Sequence, residues 1–243
     1  MKMETKQSLK KMAIGYAVFG LFIWFIFYYP PFYYSALPIS GKLVDEESGE
    51  PLEGAIVIAI WQLEKGFGLE GTIPSRFMKV SEVLTDQEGN YFIQGWGPLR
   101  RPGGTYLGNF SPLLIYFKDG YIGMGRSNYA DRFNYDDRMD RVQNSQWDGE
   151  TIKLKKFIGE LEDYYNVLWG TSMSLEVLFN PIFGAQPCDW KNIPLMIEKF
   201  DDYYRLLKEN PGGRNTYHIP NLELLNGKGK CDSKDVIPTS ESR

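Results

Sequence analysis

The stretch KVSEVLTDQEGNYFIQ, Lys79 to Gln94, carries the first structural information in the chain. Lys79 to Thr85 interleaves polar Lys79, Ser81, Glu82 and Thr85 with apolar Val80, Val83 and Leu84 and is read as a half-buried strand. Asp86-Gln87-Glu88-Gly89-Asn90 follows with hairpin chemistry. Gly89 suits the left-handed position that closes a bulged turn, and the Asp86 carboxylate is placed to cap turn amides. Tyr91 to Gln94 is the returning strand. On its N-terminal side lie Ala55 to Leu63 (AIVIAIWQL), β-branched and aromatic and so buried on at least one face, and Ile39 to Asp45 (ISGKLVD). Ser48-Gly49 and Pro51 mark the turn between these two. On its C-terminal side come Leu113 to Phe117 (LLIYF), a Lys118-Asp119-Gly120 turn, Tyr121 to Met124, and Thr151 to Phe157 with the alternating charge expected of an edge. Six or seven short strands so spaced predict a small antiparallel sandwich.

Three pieces carry a resemblance: GKLVDEESGEPLEGAIV at Gly41 to Val57, TDQEGNYFI at Thr85 to Ile93, and YFKDGY at Tyr116 to Tyr121. In order and spacing they resemble the carboxypeptidase regulatory-like domain, a transthyretin-like, prealbumin-type β-sandwich. The likeness covers Ile39 to about Phe157, half of the chain, and implies a fold rather than an activity. The chain departs from the short form of that family by two insertions. One runs from Glu64 to Met78 and is glycine-rich; the other runs from Gly125 to Glu150. Loops held on a rigid scaffold are where recognition usually sits.

The second insertion supplies the candidate partner-binding residues: Tyr129, Arg132, Phe133, Tyr135, Arg138 and Trp147. Aromatic and Arg side chains together are favoured at protein interfaces, although they could equally fold back over the sandwich. Asp131, Asp136, Asp137 and Asp140 lack regular calcium-loop spacing and are interleaved with Arg126, Arg132, Arg138 and Arg141, which favours local charge pairing.

Catalytic chemistry has little to work with. The chain has one histidine, His218, and two cysteines, Cys188 and Cys231. Enzymes on related sandwiches need more: a transthyretin-like hydrolase more than one histidine, an intradiol dioxygenase two histidines and two tyrosines around iron. No serine lies in a nucleophile motif, and the loop glycines precede no phosphate-binding helix. No catalytic residue, metal site or cofactor is assigned, and the chain is read as a non-enzyme.

Residues 12–29 (MAIGYAVFGLFIWFIFYY) contain no ionisable acid or base, and eighteen helical residues rise about 27 Å, near the thickness of a bilayer core. The first eleven residues carry four lysines against one glutamate, while the chain as a whole is at −4. The positive leader predicts a cytoplasmic N-terminus. The acidic remainder argues against nucleic acid. Tyr28, Tyr29, Phe32, Tyr33 and Tyr34 are expected at the membrane interface, and Pro30-Pro31 end the helix. A cleaved signal peptide has the same charge order, but its best cut, after Ala36, sets bulky Tyr34 at the third position upstream.

Past Phe157 the period becomes helical. Leu161, Tyr164 or Tyr165, Leu168, Leu175 and Leu178 mark one helix, with Gly170 a weak point. Ile197, Phe200, Tyr204 and Leu207 mark another, which Asn192 would cap. In an exported region Cys188 and Cys231 favour a disulfide, with two free thiols as the alternative.

The expected chain is mainly β, with an N-terminal transmembrane helix, an antiparallel transthyretin-like β-sandwich and a C-terminal helical hairpin. Its divisions are a cytoplasmic N-terminus (1–11), a transmembrane helix (12–29), an aromatic linker (30–38), the sandwich (39–157), the helical region (158–230) and a polar tail (231–243). The expected role is that of an accessory or scaffolding subunit in an envelope or inner-membrane complex, its bulk periplasmic and its contacts with the bilayer and other envelope proteins. Self-association is left open. The alternative is a tethered glycan- or small-ligand-binding module using Trp61, Trp96 and Trp147.

Overall fold

The computed structural model describes residues 12–22, 32–66, 72–108, 110–128, 141–180, 188–209 and Leu225. Among the described residues, eleven strands and two folded-on helices stack in three layers around one central strand.

That strand is β3 (Ile56–Lys65). It pairs antiparallel with β4 (Ile73–Leu84), with β8 (Leu113–Phe117) and with short β7 (Thr105–Leu107); β9 (Met124–Ser127) adds to β8. The second layer is a three-chain ribbon in two halves. Its centre is β1 (Tyr33–Ala36) and β2 (Ile39–Asp45), bent at Leu37-Pro38. Antiparallel to them run β6 (Trp96–Arg100) and β5 (Asn90–Ile93); on the other side are β10 (Val142–Gln143) and β11 (Glu150–Leu154).

The last two pairings are parallel, which corrects the all-antiparallel expectation. After β9 the chain crosses from one layer to the other before it runs beside β1 and β2, so it returns in their direction. Three further expectations change. Tyr33 to Ala36, expected in a linker, form β1. The first insertion is no open loop, because β3 and β4 continue into it as a longer hairpin, Lys65 opposite Ile73. The strand expected at Tyr121 begins at Met124, since the helix Leu161–Leu175 passes close by: a Cβ on Gly123 would lie 2.5 Å from the Thr171 hydroxyl.

The hairpin at residues 79–94 forms as its sequence implies. Asp86 Oδ1 accepts the amides of Glu88 at 3.0 Å and Asn90 at 2.7 Å. Gly89 has φ +77°, and a Cβ there would meet the Leu43 carbonyl at 2.5 Å.

Both faces of β3 are buried. Val57, Ala59, Trp61 and Leu63 point into the sandwich with Tyr34, Leu43, Tyr91, Ile93, Tyr116 and Leu154. Ile56, Ile58 and Ile60 point the other way, under α2 (Leu161–Leu175) and α3 (Pro194–Glu209), where they meet Leu168, Leu175, Met196, Ile197 and Phe200. Gly170 does not interrupt α2, which runs on into a short 3-10 turn at Glu176–Leu178. Asn192 is not the cap of α3; it lies in a 3-10 turn, Asp189–Asn192.

An additional helix, α1, occupies residues 12–22. No helix among the described residues is long and apolar enough to cross a membrane. Residues 23–29 of the expected span lie outside them.

Candidate interaction surfaces

Five of the six candidate partner-binding residues, Tyr129, Arg132, Phe133, Tyr135 and Arg138, lie outside the described residues, as does the acidic run between them. What is described is the base on which that insertion stands. Asn128, where the chain leaves, donates from Nδ2 to the carbonyls of Ser111 at 2.8 Å and Asn144 at 3.0 Å, and its Oδ1 accepts the Gln146 amide at 3.0 Å. One amide side chain therefore ties the outgoing and returning strands together. Asp148 fastens the return to β2, accepting the Ser40 amide at 2.7 Å and hydroxyl at 3.0 Å. Trp147, the sixth candidate, folds back. Its indole N–H donates to the Ser127 carbonyl at 3.0 Å, and the Arg126 guanidinium lies 5.1 Å from its ring centre. It braces the insertion's root.

The expected interface aromatics divide. Tyr28 and Tyr29 lie outside the described residues. Phe32 and Tyr33 are 55% and 54% exposed, whereas Tyr34 is 0% exposed, inside the sandwich. Alternation along β1 explains the split: Tyr33 faces out and Tyr34 faces in. Of the tryptophans considered for ligand stacking, Trp61 is 1% exposed and packs edge-on against half-buried Trp96 at 5.5 Å. Among the described residues their two indole nitrogens are buried without a hydrogen-bond partner.

The helical layer is fastened by two polar devices that sequence reading missed. Glu82, on β4, reaches the start of α3, where its carboxylate oxygens accept the amides of Leu195 and Met196, each at 2.9 Å. Pro194 has no donor of its own, so Glu82 satisfies the first two amides the helix exposes. Burial pushes the Glu82 carboxyl up to about 7, a desolvation effect that outweighs the two hydrogen bonds opposing it. The second device gathers at the turn after β8. The Tyr164 hydroxyl accepts the Gly120 amide and donates to the Tyr121 carbonyl, both at 3.1 Å. Lys199 of α3 meets Asp119 at 2.9 Å, and the Tyr203 ring lies 5.3 Å from that of Tyr164. Burial raises the Tyr164 hydroxyl well above the ordinary phenol range, so it stays protonated and keeps donating. Beside the same turn, Asp45 meets the Tyr121 hydroxyl and caps its own turn, and the amide of Ser48 is the largest influence lowering its carboxyl.

Among the described residues no three His, Cys, Asp or Glu side chains gather where a metal ion could be held. Cys188 carries no free thiol; Cys231 lies outside the described residues.

No family model matches the chain, and no curated protein matches it. Solved structures give partial likenesses. The 3-chlorocatechol 1,2-dioxygenase of Rhodococcus opacus 1CP is 14% identical over 51% of this chain and 60% of its own, with TM-score 0.30. The catechol 1,2-dioxygenase of Pseudomonas arvilla C-1 is 16% identical over 52% and 54%, with TM-score 0.29. A streptococcal ancillary pilin is 13% identical over 50% and 30%, with TM-score 0.22. The chain thus spans less than two thirds of each of these proteins. Overlaps so partial say nothing of activity. The stacking of the sheets identifies a mainly β chain of mixed sheets with added helices.

Proposed function

We propose that the chain is a non-catalytic, single-pass membrane protein whose sandwich, of carboxypeptidase regulatory-like type and extracytoplasmic, serves as an accessory or scaffolding subunit through protein contacts. The observation that carries the reading is α1. All of its residues are exposed, its large apolar side chains between 55% and 76%, and no Asp, Glu, Lys, Arg or His interrupts it. A helix apolar on every side needs an apolar medium around it, and lipid supplies one along the whole of residues 12–29. On this reading Cys188 pairs with Cys231 in an oxidising compartment, closing a loop around α3.

Recognition is assigned to the second insertion, which stands on the Asn128 and Asp148 fastenings. Tyr129, Arg132, Phe133, Tyr135 and Arg138 are its contact residues, and Trp147 supports them. The ligand-binding alternative is weaker, because Trp61 is sealed in the core and Trp147 is committed to Ser127. Crosslinking in intact membranes followed by mass spectrometry tests the proposal. Crosslinks from residues 129–140 to one reproducible envelope protein, lost in an Arg132→Glu, Phe133→Ser, Tyr135→Ser variant that stays in the membrane, would support it. A monodisperse monomer in mild detergent, with no crosslinked partner, would count against it.

A further inference from the structure

The two ends of the sandwich differ in chemistry. At one end the turns after β2 and after β4 carry Glu46, Glu47, Glu50, Glu53, Asp86 and Glu88, all exposed. These turns lie together, since the Gly89 carbonyl accepts the Leu43 amide and the Thr85 carbonyl accepts that of Gly54. At the other end, about ten β3 residues or some 30 Å away, the exposed groups are aromatic, aliphatic and basic. A chain of contacts defines this end. The Arg101 guanidinium lies 5.6 Å from the Phe32 ring centre and donates to the Thr105 carbonyl. Thr105 pairs with Lys65, and Lys65 with Ile73. Tyr33 lies opposite Arg100, and Leu99 is the next residue along β6. Ile73 is 64% exposed and Leu99 40%; Lys65 and Arg100 are exposed, and Glu64 is the one described acid among them.

We propose that this end of the sandwich is a membrane-contacting face that seats the domain against the headgroups of an anionic bilayer. Phe32, Tyr33, Leu99 and Ile73 would enter the interfacial layer, with Lys65 and Arg100 on lipid phosphates. The inference rests on the anchored reading above, and covalent geometry then ties it down. If the membrane helix ends at Tyr29, Phe32 follows three residues later, and three residues reach at most about 11 Å. Whatever path the chain takes, the Phe32 end of the sandwich is held within the depth of the headgroup region. Exposed aromatic rings and long basic side chains are the groups that favour that layer, and the acidic end is turned about 30 Å away from it. The face thus orients the domain, presenting the acidic turns and the helical layer away from the lipid.

The full chain reconstituted into phosphatidylglycerol-containing vesicles provides the test. A fluorophore is attached at Ile73→Cys or Leu99→Cys, with Glu88→Cys as the control, and a headgroup-level nitroxide lipid serves as quencher. The expected result is at least twofold stronger quenching at positions 73 and 99 than at 88, diminished when Lys65→Glu and Arg100→Glu are added. Equal quenching at all three positions, in protein that floats with the vesicles, overturns the face while leaving the anchor intact. Protein that does not float with the vesicles overturns both.

Discussion

The two faces of β3 are equally buried but closed by different means. On one side Val57, Ala59, Trp61 and Leu63 meet a strand ribbon whose register is set by turns written locally in the sequence, such as Asp86 to Asn90. On the other, Ile56, Ile58 and Ile60 meet helices held by apolar contact and by two polar fasteners from distant parts of the chain. The sandwich is bound by hydrogen-bonded ladders. The helical layer rests on side chains, one of them a half-buried carboxylate whose charge is costly to keep. The account therefore makes the helical layer the more readily released of the two.

Phe200→Ala probes the difference with the largest effect. Phe200 is fully buried and packs against Phe117, ring centres 6.4 Å apart, so truncation should cost about 3–5 kcal/mol. Hydrogen exchange should rise throughout α2 and α3 while the β2–β5 pairing keeps its protection; equal loss in both would show the layers to be one cooperative unit. Glu82 gives the next effect, through pH. Its folded pKa, about 7, lies above the ordinary 4.5, so its protonated form favours the fold. That contribution is whole below pH 4.5 and lost above pH 7, a change of about 3 kcal/mol. Denaturant melts of wild type should weaken over that interval, and Glu82→Gln should flatten the dependence; an unchanged slope in the variant would remove Glu82 as its source. Gly89→Ala should then destabilise the sandwich face by about 1–3 kcal/mol, because the left-handed φ disfavours a side chain and the Leu43 carbonyl is in its way. A neutral result by chemical denaturation would mean the turn is not fixing the register. Lys199→Ala should cost less than about 1 kcal/mol, since the ion pair with Asp119 is largely solvated; a loss comparable to that of Phe200→Ala would show the fastener to be far stronger than its exposure suggests.

The same contrast explains what could be read from sequence. The hairpin at Lys79 to Gln94 was legible because strand-favouring residues and turn chemistry act over neighbouring positions. Helix α3 was legible from Ile197, Phe200 and Leu207, all buried. Its cap was not, because Glu82 lies 113 residues before Leu195 and only the folded chain joins them. Strand β10 has two residues, too few for periodicity to register, β6 is broken by Gly97-Pro98, and Tyr33–Ala36 carried an aromatic signal that suited an interface equally well. Alternation could have warned that adjacent tyrosines 33 and 34 must face opposite ways. Trp147 was read as a candidate partner contact with folding back over the sandwich as the equal alternative; its indole partner, the Ser127 carbonyl, belongs to backbone geometry that no side-chain pattern encodes.

Anchoring itself is checked by peptide mass mapping of the protein released by detergent from carbonate-washed membranes. The account predicts one species whose N-terminal peptides retain residues 12–29. A membrane-free protein with reduced cysteines, or a mature chain beginning beyond Tyr34, would contradict it.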